Sequence, residues 1–257
     1  MKDQTTGRLF LLPAPLQEFS VESWDPARLA ASFPALAIDR LQNLDCFIVE
    51  SEKTAYRLLS RFRTPESMKE LRLSVLDEHS TESEVGDLLS PLLAGEDVGF
   101  FSEAGMPCIA DPGAALVAQA HSKGIRVLPV TGPSSILLAL VASGLDAQRF
   151  MFLGYLPAEK GARKSALLRI SRELAADRMT RLFIETPYRN EALARDCLEN
   201  LHPDTWLAIA SDLCGKTESI RSKPIGKWRL EASIFPGKSP AVFAIGFPAS
   251  PKPKNTV

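Results

Sequence analysis

The sequence predicts an α/β protein of two α/β domains, the N-terminal one on a mostly parallel sheet and the C-terminal one on a mixed sheet. Three observations carry this. Short β-rich runs alternate with helical periodicities through the first half. Within it, Val98–Phe101, Ala114–Ser122 and Ile125–Val130 read as strand, helix and strand, an order that wants a parallel pair joined by a right-handed crossover. The second half has fewer helices per strand, which suits a mixed sheet. The VTGPSS segment, Val130–Ser135, interrupts the pattern with Gly and Pro. Domains are therefore expected at 1–131 and 132–248, with a polar, Pro-rich and disordered tail over 249–257. The cleft between the two domains is the default ligand site.

Taken in order, Arg8–Leu12 reads as the first strand. Leu36, Ala37, Leu41 and Leu44 form a helical stripe, and Cys46–Val49 is a second, buried strand. Thr54–Phe62 predicts a helix with Tyr56, Leu59 and Phe62 on one face. Val85, Leu88, Leu89, Leu92 and Leu93 keep helical spacing, Gly95 stands where a C′ glycine belongs, and Pro91 inside the pattern predicts a kink. Gly124 ends the helix over Ala114–Ser122. Beyond the break, Phe150–Leu153, Leu182–Glu185, Leu207–Ala210, a weak run near Ile220 and Val242–Ile245 read as strands. Helices fit Arg163–Leu174 and Pro187–Leu201, the latter with Thr186 as N-cap and Pro187 at N1.

The 257 residues are 45% hydrophobic and 24% charged, as in an ordinary globular chain. Thirty Lys and Arg against 31 Asp and Glu leave a net charge of −1, which excludes a surface built as a whole to bind nucleic acid or membrane. Cys46, Cys108, Cys197 and Cys214 are scattered, and His79, His121 and His202 lie far apart, so no metal site is expected. Reduced thiols in a cytoplasmic protein are expected instead. The longest apolar run, Ile136–Ala142, falls far short of the ~20 residues that span a bilayer, so no membrane segment is expected. Proline (19) outnumbers glycine (15), which points to stiff ligand loops rather than a glycine-rich phosphate cradle.

Two loops carry the chemistry. The segment FFSEAGMPCIADPG, Phe100–Gly113, leaves the C-terminal end of a predicted parallel strand, the edge at which open α/β sheets bind ligands. It reads either as a rigid loop presenting backbone groups or as a Gly/Pro connector. In VLPVTGPSSILLAL, Ser134 or Ser135 caps the next helix, whose free N–H groups can also hold a polar ligand edge.

Together these motifs resemble the tetrapyrrole-methylase superfamily, and within it the enzymes that methylate small-subunit ribosomal RNA. That family carries SDAGTPxISDPG, GIxVxPxPGPSA, a Gly-Leu pair and FxGFLP. Here they read SEAGMPCIADPG, GIRVLPVTGPSSILLAL, Gly144-Leu145 and FLGYLP, followed by IETPYR for YESPHR and ASDLCGKTE for ARELTKxxE. The resemblance implies the tetrapyrrole methylase fold and S-adenosyl-L-methionine (SAM) held in the cleft. It implies cofactor contacts at Leu12 and Pro13, at Gly105, Met106, Pro107 and Ile109, at Ser134, Ser135 and Ile136, and at Thr186, Ala210 and Pro240. It further implies a homodimer, with RNA or a ribosomal subunit as partner.

The substrate side departs from that pattern. The family's GTPIGNL appears as LPAPLQEF without its glycines, an insert Ser20–Phe33 follows, AEDTR becomes VESEK and HEHNE becomes DEHST. The cofactor side is kept, so a divergent paralogue is expected. Methyl transfer to a hydroxyl needs a base, and the candidates are Glu50 and His79. Glu50 reads equally as a salt-bridge partner of Lys53 or Arg57, and His79 as a loop residue. Glu103 reads as a loop-shaping acceptor and Asp111 as the clasp of its own turn. Lys160, Arg163 and Lys164 open a basic stretch that either contacts RNA phosphates or is a solvated helix face. Trp24, Trp206 and Trp228 are expected in the core. Three functions stay open: an RNA methyltransferase, a tetrapyrrole (precorrin) methyltransferase, and a SAM-binding protein without catalysis.

Overall fold

A computed structural model describes residues 6–16, 33–231 and 238–249. Trp24, nearly all of the insert 20–33 and the tail beyond Ala249 lie outside the described residues. The chain divides into one unit ending at Ser134 and a second beginning at Ser135.

The first unit has five strands: β1 (Arg8–Leu11), β2 (Cys46–Val49), β3 (Arg72–Val75), β4 (Val98–Phe101) and β5 (Arg126–Pro129). Their spatial order is β3-β2-β4-β1-β5, and every neighbouring pair is parallel. Helices α1 (Ala35–Asn43), α2 (Glu52–Leu59), α3 (Pro65–Met68), α4 (Glu82–Asp87), α5 (Ser90–Leu93) and α6 (Gly113–Ser122) lie between them in the chain. Side chains alternate across a strand, so successive residues feed opposite faces of the sheet. Phe10, Phe47 and Phe101 enter one apolar cluster, and Leu9, Ile48 and Phe100 enter another. Both faces are thus covered, which is why β2 and β4 read as unbroken apolar runs.

The second unit comprises α7 (Ser135–Ala142), β6 (Phe150–Tyr155), α8 (Lys160–Asp177), β7 (Thr180–Glu185), α9 (Asn190–Asn200), β8 (Trp206–Ser211), β9 (Ser219–Pro224), α10 (Ile225–Trp228) and β10 (Ala241–Gly246). Its strand order is β6-β7-β10-β8-β9. Only β6 and β7 run parallel; the other pairs are antiparallel, as a mixed sheet requires. Phe183 and Phe243 stack with centroids 5.7 Å apart in its core. Trp228 is fully buried, and its indole N–H donates to the Leu207 carbonyl at 2.8 Å. Trp206 is only half-buried.

Several local expectations are corrected. The helical pattern over Val85–Leu93 is not one kinked helix but two short ones. Proline lacks an N–H and crowds the carbonyl four residues earlier, so Pro91 opens α5 rather than sitting inside a longer helix. Tyr56 is exposed, and the buried face of α2 is Ala55, Leu58 and Leu59. β3 was not anticipated, because its RLSV sequence lies at a sheet edge with no buried residue to set a pattern. α8 starts earlier than expected, at Lys160, because the Glu159 carboxylate caps it by accepting the N–H groups of Gly161 and Ala162. Thr186 is not an N-cap. Its N–H donates to the Glu185 carboxylate at 2.7 Å, a turn closes from Arg189 N–H to the Thr186 carbonyl at 2.9 Å, and α9 begins only at Asn190.

The largest correction concerns Arg163. Only 5% of it is exposed, so it is not available to an RNA phosphate. Its Nε and Nη2 each lie 2.6 Å from Asp196 Oδ2 on α9, and its Nη1 donates to the Ala158 carbonyl at 2.7 Å. It ties α8, α9 and the preceding loop together. Removing one member of such a pair strands the other charge in the interior. Arg163→Ala is therefore expected to lower the unfolding free energy by about 3–5 kcal/mol. The exposed Lys164→Ala should stay within about 0.5 kcal/mol. Urea unfolding of the two variants compares them directly; equal midpoints would refute the structural role.

Candidate functional site

The loops that follow β1, β4 and β5 leave the same edge of the first sheet, because these three strands are parallel neighbours. They are bound to one another. Ala14 and Gly105 form an isolated two-bond bridge, with Gly105 N–H to Ala14 carbonyl and Ala14 N–H to Gly105 carbonyl both at 2.8 Å. Gly105 has a positive φ of 75°, which favours glycine. Gly132 packs against the other two loops: a Cβ there would stand 2.1 Å from Pro13 Cβ and 3.4 Å from Met106 Sδ. Leu12, Pro13, Gly105, Met106 and Gly132 are thus brought together from three sequence segments. Pro107 is buried just beyond the turn, and Ser134 ends the third segment, also buried.

Beyond Pro107 the backbone is forced. Cys108 and Ala110 sit at φ of 68° and 63°, a region that costs a residue with a Cβ roughly 1–2 kcal/mol. Asp111 offsets this by accepting the N–H groups of Cys108 at 3.0 Å and Gly113 at 2.8 Å on one oxygen. Ile109, held between the two strained residues, is 45% exposed. The Cys108 thiol is pushed up to about 11, by burial first and then by the Asp111 charge.

Beside these loops the first unit has an open pocket of about 810 Å³, lined by Glu50, Asp77, Glu78, His79, Glu103 and Asp111 among others. Both candidate bases therefore share one pocket. Glu50 stands at the C-terminal end of β2, and its Oε2 accepts the Glu103 N–H at 3.2 Å. Its carboxyl is raised above the ordinary range, chiefly by burial and further by the charges of Glu103, Asp111 and Glu78, against the opposing pull of the Glu103 N–H. Glu103 Oε1 accepts the Thr54 hydroxyl at 3.2 Å. His79 is at the rim with its side chain 83% exposed, and the Asp77 carboxylate accepts its backbone N–H at 2.9 Å.

The second unit gathers a further set. In register, Glu185 pairs with Ala241 and Ala241 with Ser211. The C-terminal ends of β7 and β8 and the start of β10 therefore share one edge. Thr186, Ala210 and Pro240 all stand at that edge, and the Pro240 carbonyl accepts the Asp212 N–H at 3.0 Å. Ser135 and Ile136 open α7, which packs on β8 and β10. Lys160 and Lys164 are exposed on α8. Gly132 and Ala14 lie in loops the sequence singled out, but their part in joining those loops, and Thr54 altogether, left no trace, since a missing Cβ, a backbone bridge and a single hydroxyl leave no periodicity. Among the described residues, no cluster of His, Cys, Asp and Glu is arranged to hold a metal ion, and no helix is long and apolar enough to cross a membrane.

A family model for tetrapyrrole (corrin/porphyrin) methylases matches residues 31–228. Among curated proteins the chain is similar to "ribosomal RNA small subunit methyltransferase I" of Vibrio cholerae, 33% identical over 74% of this chain and 63% of that protein. The protein of the same name from Pseudomonas aeruginosa is 35% identical over 74% of this chain and 64% of its own length. That from Escherichia coli O157:H7 is 29% identical over 88% and 72%. The chain thus spans a little under two thirds of the Vibrio and Pseudomonas relatives. Among solved structures, uroporphyrin-III-C-methyltransferase from Thermus thermophilus matches with a TM-score of 0.53 at 17% identity, covering 93% of this chain and 94% of that one. A conserved hypothetical protein from Aeropyrum pernix matches with a TM-score of 0.61, also at 17% identity, covering 95% and 86%. At that identity the structures speak for the fold alone.

Proposed function

The chain belongs to the tetrapyrrole methylase family, and from that premise we propose that it transfers a methyl group from S-adenosyl-L-methionine to small-subunit ribosomal RNA in the cytoplasm. The observation that carries the reading is the junction of the three loops in the first unit. Pro13, Gly105, Met106 and Gly132 offer backbone groups and uncharged side chains, stiffened by proline and closed by hydrogen bonds. Such a surface fits a nucleoside joined to a sulfonium, and fits a phosphate poorly. Leu12, Pro13, Gly105, Met106, Pro107, Ile109 and Ser134 would hold the cofactor from the first unit. The family resemblance adds Ser135, Ile136, Thr186, Ala210 and Pro240 to its contacts.

Bound there, the cofactor supplies a methyl on a leaving group that is already good. The protein's task is then alignment, which can lower such a barrier by roughly 7–11 kcal/mol. A hydroxyl acceptor gives up a proton as it is methylated, and the pocket presents His79 and Glu50 beside the loops. The same pocket argues against a precorrin acceptor, whose several carboxylates would meet Glu50, Asp77, Glu78, Glu103 and Asp111. A nucleobase edge brings N–H donors that carboxylates accept. The relatives named as ribosomal RNA methyltransferases support the RNA reading over a SAM-binding protein without catalysis.

RNA phosphates need cations elsewhere. With Arg163 in the core, Lys160, Lys164 and Arg172 recur at multiples of four residues on the exposed side of α8, within about 120° of arc at ~100° per residue. A homodimer is the proposed assembly. Exposed Val141 on α7 and exposed Phe150 and Met151 on the edge strand β6 support it.

Four measurements test these statements. Small ribosomal subunits from a strain lacking this protein, incubated with it and methyl-labelled SAM, are expected to carry label in RNA. Tight SAM binding with label nowhere would refute the RNA reading, and no SAM binding by calorimetry would refute methyl transfer itself. Lys160, Lys164 and Arg172 changed together to Gln should lower the salt slope of RNA binding by about 2, at roughly 0.7–0.9 per phosphate contact; an unchanged slope removes α8 from the interface. Light scattering should give twice the 28.1 kDa chain mass, and a single-chain mass would remove the dimer.

A further inference from the structure

We propose that Glu50 is a positioning residue: its carboxylate holds the root of the 102–113 loop and so fixes the Gly105–Pro107 turn. β2 and β4 are parallel neighbours with Val49 opposite Phe101, so the residues just beyond each strand emerge side by side. Glu50 uses that proximity to accept the Glu103 N–H at 3.2 Å. One turn into α2, the Thr54 hydroxyl donates to Glu103 Oε1, also at 3.2 Å. Thr54 is itself placed by the helix cap, its N–H donating to Ser51 Oγ at 3.4 Å. The segment 50–54 therefore clasps Glu103 twice, once by main chain and once by side chain.

The clasp acts on a short lever. Only Ala104 separates Glu103 from Gly105, which is gripped from the other side by both bonds to Ala14. With residues 103 and 105 both fixed, the direction in which the chain enters Met106 and Pro107 is fixed too. Releasing Glu103 leaves the turn held at Gly105 alone until Asp111 takes up Cys108. The contact needs an acceptor oxygen and not a charge. Burial first, and then the charges of Glu103, Asp111 and Glu78, raise the Glu50 carboxyl, so a neutral acceptor in its place escapes both costs and keeps the bond. This separates the positioning role from that of a general base, which needs the carboxylate.

The inference rests on the methyl-transfer reading for its kinetic assay, but has a readout that does not. In the full chain, Glu50→Ala is expected to weaken SAM binding by calorimetry about tenfold, the scale of one hydrogen bond. Turnover at saturating SAM should fall far less. Glu50→Gln should rescue affinity to within about threefold of wild type, and Thr54→Val should weaken it a few-fold. Glu50→Gln losing about a hundredfold or more in turnover at unchanged affinity would overturn the proposal in favour of a general base. Glu50→Ala binding SAM like wild type would overturn it outright. If the wild-type chain binds no SAM, methyl transfer is refuted, and the clasp is read by hydrogen exchange instead. The Glu103 amide should then exchange faster in Glu50→Ala and be protected again in Glu50→Gln; equal protection in all three refutes the clasp.

Discussion

Two backbone hydrogen bonds between Ala14 and Gly105 join the outgoing ends of β1 and β4, and the geometry of the site follows from them. Parallel strands place their loops on a common edge, but nothing in a parallel ladder ties one loop to the next. Without such a tie a Gly/Pro loop of this length would hold its backbone groups in no fixed direction. The bridge sets Gly105, and the conformations at Cys108 and Ala110 become tolerable because Asp111 fixes the far end of the same loop. Strain of this kind persists only where the surroundings over-determine it. Here the surroundings are the Glu50–Thr54 clasp, the Ala14 bridge and the Asp111 turn, spaced along one loop.

The second unit reaches a comparable result by different means. Its strands β7, β8 and β10 are locked by sheet register, so Thr186, Ala210 and Pro240 meet at an edge through pairing rather than through loop-to-loop bonds. Burial then fixes what surrounds them. Glu185 is buried, and its carboxylate takes both the Thr186 N–H and the Arg189 guanidinium, which delays the start of α9 and keeps Thr186 in a turn instead of a helix cap. Arg163 does related work further along, where its pair with Asp196 and its bonds to the 157–158 carbonyls hold the loop after β6.

How much of this was legible depends on whether a residue's role leaves a periodic trace. The parallel sheet was legible because burial on both faces makes apolar runs, as in Cys46–Val49 and Val98–Phe101, with a helix between successive strands, and the mixed sheet because its strands have fewer helices between them. The Phe100–Gly113 loop was legible through its position after a strand and its Gly and Pro residues. β3 was not, since an edge strand with no buried position has no pattern to read. Arg163 looked like part of a basic surface because composition cannot tell a solvated arginine from one whose partner lies on the next helix. Glu50 drew notice as a carboxylate at a strand end, while its bond to the Glu103 N–H is visible only once β2 and β4 lie side by side.

The side chains of the loop after β1 find room in the same junction. In the resemblance to the family, the loop after β1 has lost its glycines, and Pro13, Ala14, Pro15 and Leu16 stand in their place. Side chains added to one face of a crowded junction need room on the other. That room exists: Pro13 lies where a Cβ on Gly132 would be, and Leu16 Cδ2 is 3.2 Å from where a Cβ on Gly105 would be. Bulk on the first loop is met by glycine on the two loops facing it. The excess of proline over glycine in the whole chain is thus not a shortage of glycine at the site. Glycine stands at Gly132, where a Cβ would collide with the Pro13 ring, and at Gly105, where φ is positive, and proline takes positions where the chain has only to be held in one direction.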